Sequence, residues 1–231
     1  MLQNIPIEKV LFLDIETVPN ASAWEDLPES EQKLWDKKTF AQRRNEISAE
    51  DFYHERAGVM AEFGKIICIS VGMMEREKLK IRSFFGDDEK KILTDFGKIF
   101  NSPRLSGVIL CAHNGREFDF PWIARRCMIN GFMPPLPFQT FGKKPWDIPH
   151  LDTMELWKFG DYKTFVSLEL LAHIFKVPTP KDDIDGSMVA QVYHREKDLQ
   201  RIVDYCEKDV LTLANVFRKM RQEDLLERLT D

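Results

Sequence analysis

Val10-Leu11-Phe12-Leu13-Asp14-Ile15-Glu16-Thr17 is the stretch that decides the architecture. Four apolar residues run together and stop at two acids. An unbroken apolar run is expected of a strand buried on both faces. Side chains alternate along a strand, so Asp14 and Glu16 share a side. The stretch therefore predicts a central strand that ends in two neighbouring carboxylates. Like charges that close repel, and burial raises their pKa values. A bound cation relieves both effects, and oxygen ligands suit Mg²⁺ or Mn²⁺. A strand ending in two solvated acids fits the same letters, so the rest of the chain must decide.

Working outward, the 231 residues suit one large domain. Hydrophobic residues at 43% supply a sizeable core, and charged residues at 31% predict a soluble protein. No apolar run approaches the ~20 residues of a membrane span. The N-terminal Met1-Leu2-Gln3-Asn4-Ile5-Pro6 lacks the basic and apolar regions of a signal peptide. Cys68, Cys111, Cys127 and Cys206 form no Cys-x-x-Cys pair, which argues against a zinc site or a disulfide framework. Cys68 and Cys111 sit in strand-like runs and are expected to be core thiols. A reducing, cytoplasmic location and no membrane partner are expected. The formal net charge of −5 gives no bulk attraction to nucleic acid. It does not exclude it, because local basic patches can still hold phosphates.

After the first strand comes a charged stretch, about 21–62, with helical spacing in pieces; it is expected to be a helical insertion. Lys65–Gly72 and Leu79–Phe85 read as strands, with Met73 to Lys78 as a hairpin link. Asp87-Asp88 opens a helix with Ile92, Phe96 and Ile99 on one face. Val108–His113 is a fourth strand, followed by a helix from about Asp119 to Asn130. Residues 133–149, with five prolines and one glycine, form a loop. His150-Leu151-Asp152 is a short fifth strand, and Asp152 with Glu155 fits a capping box. Helices are expected over Ser167–Val177, from Ser187, and from about Lys197 to Met220. This order predicts an α/β fold: a mixed sheet covered by helices.

On the last helix Leu199, Ile202, Cys206, Leu213, Phe217 and Met220 line one face, a core stripe at helical period. Asp209 falls within it. A buried unpaired carboxylate is costly, so Asp209 needs a partner or a bend that exposes it. Tyr205 lies one turn earlier on the same side. The fourth strand ends His113-Asn114-Gly115-Arg116-Glu117-Phe118-Asp119. Ligands collect at such carboxyl-end crevices, although Asp119 alone reads as an ordinary helix-start acid and His113 as a strand-end histidine.

Three segments, in order, resemble the DEDD 3′–5′ exonucleases. Leu13-Asp14-Ile15-Glu16-Thr17 resembles the first motif. Asn114 through Phe118-Asp119 resembles the second, Asn-x-x-x-Phe-Asp. Tyr205-Cys206-Glu207-Lys208-Asp209 resembles the third in its tyrosine form. Within that subgroup the chain looks like stand-alone exonucleases related to the proofreading domain of family-B DNA polymerases. Pro145-Trp146, His150-Leu151-Asp152 and Lys181-Asp182-Asp183-Ile184-Asp185-Gly186-Ser187 fit the same family. The resemblance covers nearly the whole chain, and no polymerase palm or fingers fit in the remainder. It implies a ribonuclease H-like fold: a five-stranded mixed sheet, second strand antiparallel, flanked by helices. Residues 1–231 would form a single exonuclease domain with the insertion at about 21–62.

The resemblance also implies the chemistry. Terminal 3′ phosphodiesters would be hydrolysed to nucleoside monophosphates with two divalent ions, Mg²⁺ or Mn²⁺, ~3.5–4 Å apart. Asp14 would bridge both ions, Glu16 and Asp209 would complete one site, and Asp119 would hold the second. Tyr205 would orient the attacking water. Backbone groups near Ile15 and Thr17, with Asn114 and Phe118 of the second motif, are the candidates to hold the 3′ end. Single strands are gripped by aromatic and basic side chains, and Lys143, Lys144 and Trp146 interleave both in one loop. A proline-stiffened loop with Trp146 packed inward fits equally. Lys163 and Lys181 are weaker candidates. The expected partners are single-stranded DNA or RNA 3′ ends. An RNA trimmer and a catalytically silent binding module are the rival readings.

Overall fold

The computed structural model describes residues 2–44, 46–161, 163–179 and 184–229. The expected segment Lys181-Asp182-Asp183, and with it candidate Lys181, lies outside the described residues.

The sheet is β1 (Val10–Pro19), β2 (Gly64–Glu75), β3 (Lys78–Phe85), β4 (Ile109–Ala112) and β5 (Leu151–Asp152). Its order is β3-β2-β1-β4-β5. β2 is antiparallel to β1, whereas β4 and β5 run parallel to it. The central position of β1 explains its apolar run, since helices cover it on both sides. Leu11, Leu13 and Ile15 face a core shared with α3 (Glu89–Lys98) and α4 (Asp119–Ile129), including Ile92, Phe96 and Ile123. Val10 and Phe12 face the other way, onto Val210, Leu213, Ala214 and Phe217 of α8 (Leu199–Met220). α8 lies close on the sheet because Gly72 has no side chain. A Cβ there would stand 2.8 Å from Val210 Cγ1.

The sheet's other face is locked by one buried ion pair. Arg126 of α4 donates through Nε to Glu89 Oε1 at 2.8 Å and through Nη2 to Oε2 at 2.5 Å. Glu89 also accepts the Ile66 amide at 2.7 Å, and Arg126 Nη1 donates to Ala61 O at 2.8 Å. With every group satisfied the pair is tolerable; removing one partner of such a pair costs about 3–5 kcal/mol.

The insertion is helical, as its spacing predicts: α1 (Glu29–Arg43) and α2 (Ala49–Arg56). Leu27, Trp35, Phe52, Tyr53, Ala57 and Phe63 give it a small core of its own. Thr17 fastens it to β1 by donating its hydroxyl to Gly58 O at 2.5 Å. The hairpin link is shorter than expected. Pairing continues to Glu75 opposite Lys78. Arg76 and Glu77 turn the chain at φ 50° and 65°, the positive values a two-residue hairpin turn requires. After α5 (Thr153–Lys158) and α6 (Leu168–Ile174), the helix expected from Ser187 begins later, as α7 (Val189–Gln191) followed by a π turn over Val192–Glu196. Among the described residues no helix is long and apolar enough to cross a membrane.

Candidate active site

The even-numbered face of β1 carries Val10 and Phe12 onto α8, and strand alternation continues it to Asp14 and Glu16. Both acids therefore point at the helix that bears Tyr205 and Asp209. A β-bulge follows at once: Glu16 pairs with Cys68 but Thr17 with Ile66. The strict alternation ends just past the second acid, a common device beside active sites. α8 is continuous over 22 residues, so no bend exposes Asp209. Asp209 stays half-buried, and the Tyr205 hydroxyl donates to it.

Asp119 reaches the same place from the carboxyl edge of the sheet. β4 stops at Ala112, and Gly115 makes the turn. A Cβ on Gly115 would lie 2.3 Å from Ala112 Cβ. The turn opens at Asn114, in the left-handed region at φ 60°. It is held by Asp152, whose carboxylate accepts the Asn114 amide at 2.9 Å and the Arg116 amide at 3.1 Å. The same carboxylate caps α5, accepting from Met154 and Glu155. Asp152 is therefore a helix cap, as its spacing predicts, but the expected capping box is only half formed. Glu155 pairs with Lys158 instead of reaching back. One buried carboxylate thus ties the start of α5 to the turn that presents Asp119. Asp119 itself is 3% exposed. One carboxylate oxygen has no hydrogen-bond partner, and the carboxylate accepts the Ile15 amide.

The electrostatics follow from this crowding. Burial first, then the charges of Glu16, Asp209 and Asp119, hold Asp14 well above the usual carboxylate range. Burial, then Asp209, does the same to Glu16. Burial pushes Asp119 up to about 7. Burial raises Tyr205 far above its ordinary value, and Asp209 adds to the effect. Tyr205 is therefore a neutral phenol across the working range, a hydrogen-bond donor and not a base. Asp14, Glu16 and Cys206 bring ligand-type atoms within 4.8 Å of one another. Cys206 Sγ sits 3.3 Å from Asp14 Oδ2, and burial raises its pKa, so it is a thiol that donates to Asp14. A protonated sulfur does not suit a hard cation. Oxygen donors, mutual repulsion and the unpartnered oxygen of Asp119 do suit one, so Asp14, Glu16, Asp119 and Asp209 fit a divalent metal.

The other candidates divide by position. Beyond Phe12, β1 has no partner on its β4 side, since the pairing ends at Phe12 with Cys111. The backbone from Asp14 to Thr17 therefore has no ladder partner on that side. Phe118 packs against Trp122 with ring centroids 5.8 Å apart. Asn114 keeps a buried, unpartnered side-chain oxygen beside the turn. Lys143, Lys144 and Trp146 lie on the loop that enters β5, at the end of that strand away from the acids. Trp146 is 77% exposed, so the inward-packed alternative is corrected; nothing apolar covers its ring. Lys144 Nζ stands 5.3 Å from its centroid. Lys163 is exposed on the segment after α5.

Sequence reasoning missed three participants. Cys206 reads as core stripe, and only the fold brings it to Asp14. Asp152 reads as a cap, and nothing in its spacing tells of the second turn it holds. His113, expected to be a strand-end histidine, joins two segments. Its Nε2 must donate to Val166 O at 2.8 Å, so Nδ1 accepts from the Thr153 hydroxyl at 2.9 Å. Burial keeps its pKa below the usual histidine range.

Comparison with known proteins agrees with this geometry. The search of curated proteins returns no significant match. Among solved structures, 42 chains match significantly. One is the family B DNA polymerase of the hyperthermophilic archaeon Pyrobaculum calidifontis, at 17% identity and a TM-score of 0.51. The match covers 89% of this chain but 24% of the polymerase. The chain thus spans about a quarter of that protein, and the likeness is one of fold, the ribonuclease H-like fold of the polymerase exonuclease domain. A family model matches residues 59–228, which include the second and third acid motifs. The chain belongs to the family described as predicted 3′–5′ exonucleases related to the exonuclease domain of PolB.

Proposed function

We propose that residues 1–231 form a single, metal-dependent exonuclease domain that removes nucleotides from the 3′ end of single-stranded nucleic acid, DNA in the first instance. The observation that carries the reading is the convergence of Asp14 and Glu16, on one face of the central strand, with Asp209 and its Tyr205 partner on α8. Asp119 joins them with an oxygen that has no hydrogen-bond partner.

Asp14, Glu16, Asp209 and Asp119 would hold two divalent ions, Mg²⁺ or Mn²⁺. When bound, the ions supply Lewis acidity, a lowered water pKa and a clamp on the attacking and leaving oxygens. The chain's own residues do the rest. Tyr205 keeps its proton and gives the attacking water a fixed hydrogen-bond direction, while its bond to Asp209 holds the ring in place. Cys206 fixes one Asp14 oxygen. The open backbone edge from Ile15 to Thr17, with Asn114 and Phe118 beside it, would receive the terminal nucleotide and its 3′ hydroxyl. The Thr17 side chain is already spent on Gly58, so only its backbone is available. Lys143, Lys144, Trp146 and Lys163 would act farther out on the strand.

The test is hydrolysis of labelled DNA and RNA oligonucleotides of one sequence, with Mn²⁺ and with excess chelator. Mononucleotide release from the 3′ end, lost on chelation and regained with Mn²⁺ or Mg²⁺, is expected. Full activity in chelator would sink the two-metal reading. Release from RNA alone would make the chain an RNA trimmer, and tight binding without hydrolysis a silent module.

A further inference from the structure

We infer that Arg116 is a phosphate contact that joins the acid site to the loop of Lys143, Lys144 and Trp146, so that a single strand with its 3′ end at the acids leaves along the outer edge of β5. The inference rests on the exonuclease reading for the position of that end.

Arg116 stands where the site and the loop meet. Its amide donates to the Asp152 carboxylate at 3.1 Å, in the turn that presents Asp119. Its side chain runs back along β5. Nε and Nη2 both donate to His150 O, at 3.2 and 2.6 Å. Two residues of extended chain span about 7 Å, so Arg116 covers the step from Asp152 back to His150. β5 is the last strand of the sheet, with no strand beyond it among the described residues.

The loop reaches the same residue from its other side. His150 Nε2 donates to Pro137 O at 2.7 Å, which fastens the start of the loop. Burial, and then the charges of Arg116 and Lys143, hold the His150 ring below the usual histidine range. Cations from two segments far apart in sequence therefore lie about one residue.

A carbonyl is satisfied by any donor, so these hydrogen bonds alone would make Arg116 a strut. They leave its charge unexplained. Arg116, Lys143 and Lys144 are exposed and pair with no carboxylate among the described residues. Glu117 and Asp147, their neighbours in sequence, are exposed instead of paired with them. Like charges held together repel, and a phosphate would relieve them. The guanidinium is anchored at one side and keeps N–H donors on Nη1 and Nη2 for that phosphate. Farther out, Trp146 is 77% exposed with Lys144 Nζ 5.3 Å from its centroid, and Phe141 is 71% exposed. Cations that take phosphates, beside rings that take bases, are the chemistry of a single-strand groove.

The test uses the full chain with Arg116→Gln, which keeps a donor for His150 O and removes the charge, and with Arg116→Lys, which keeps the charge. Binding of a fluorescent single-stranded DNA oligonucleotide is measured by anisotropy with Ca²⁺ over a range of salt. Hydrolysis with Mn²⁺ is measured on that oligonucleotide and on the p-nitrophenyl ester of thymidine 5′-monophosphate, too small to reach along β5. Arg116→Gln should raise the oligonucleotide Kd about tenfold and reduce the salt slope by about 0.7. It should lower oligonucleotide efficiency about tenfold more than ester efficiency, in line with the lost phosphate contact. Arg116→Lys should recover the salt slope and most of the affinity. As the oligonucleotide is shortened from its 5′ end, it should stop responding to Lys143→Ala with Lys144→Ala before it stops responding to Arg116→Gln. The reverse order would overturn the inference, and so would a parent Kd and salt slope in Arg116→Gln. An equal loss on both substrates with a lowered Tm would overturn it too, leaving Arg116 a strut of the Asp119 turn. Displacement of the oligonucleotide by phosphatidylglycerol vesicles that bind through Arg116 would overturn it in favour of a membrane contact. A parent that binds the strand through Arg116 but hydrolyses neither substrate would remove the exonuclease reading and leave the phosphate contact standing.

Discussion

The floor of the site and its rim are built by different means. On the floor, Asp14 and Glu16 ride the central strand, Asp209 rides a 22-residue helix, and all three are set by the period of their element. Around it, Trp146 and Phe165 stand on irregular segments, exposed by 77% and 70%. The floor holds buried acids against their mutual repulsion, which a cation would relieve. The irregular segments leave aromatic surface exposed, which a strand would cover on the proposed reading. Disruption of the floor should therefore abolish chemistry, whereas disruption of the rim should change only affinity.

Asp209→Asn tests the floor hardest. It keeps the shape and removes one charge. Metal binding by calorimetry and single-turnover hydrolysis should both collapse, by more than the 10–100-fold that outer-shell changes typically cost. Unchanged metal binding and rate would detach α8 from the site. Tyr205→Phe should leave Mn²⁺ binding intact and slow the chemical step by about 100-fold or less, the low end for positioned proton-handling groups. Loss of metal in that variant would contradict its role as a group that only positions water. Asp152→Asn should weaken the turn that presents Asp119, costing roughly tenfold in metal affinity, with Tm lowered as well.

The floor's repulsion also has a pH signature. Asp119 is raised to about 7 from an ordinary value near 3.9. Asp14 and Glu16 are raised too. The folded, metal-free chain thus binds protons that the unfolded chain has released. The stability these acids contribute is greatest in acid and falls as pH rises through about 7, whereas His113, His150 and His194, held below the usual histidine range by burial, act in the opposite sense. In chelator, Asp119→Asn should raise Tm more at pH 8 than at pH 5, by roughly 2–4 °C for each kcal/mol of relieved strain. Mn²⁺ should recover the loss at pH 8 by binding the folded state. A Tm gain for Asp119→Asn no larger at pH 8 than at pH 5 would mean that Asp119 is not strained.

The smallest effects belong to the loop before β5. Trp146→Ala should leave Tm unchanged, because its ring is exposed. If the loop touches the strand, binding should weaken by about 1–3 kcal/mol. Lys143→Ala with Lys144→Ala should flatten the salt dependence by about 0.7 per phosphate contact. No change in either would remove the loop from the path of the strand.

The floor was legible in the chain because periodicity is a local property. Alternation puts Asp14 and Glu16 on one side, and the 3.6-residue period puts Asp209 in an apolar stripe, whatever else the chain does. The five strands, the helical insertion and the Asp152 cap follow from the same kind of reading. The hairpin turn at Arg76-Glu77 was not legible, because neither residue type announces a positive φ. The rim was not legible either. Lysines beside a tryptophan at 143–146 look like a strand grip in sequence, and Phe159 and Phe165 look like ordinary apolar residues. Where each segment lies relative to the acids depends on tertiary contacts such as the parallel pairing of Ala112 with Asp152 across some 40 residues. The sequence by itself determined the mixed α/β fold class and the placing of Asp14, Glu16 and Asp209, since both are written in local spacing, whereas Asp119 entered only through the family resemblance. Only the tertiary structure decided which surface lies above them, because a contact between distant segments leaves no periodic mark.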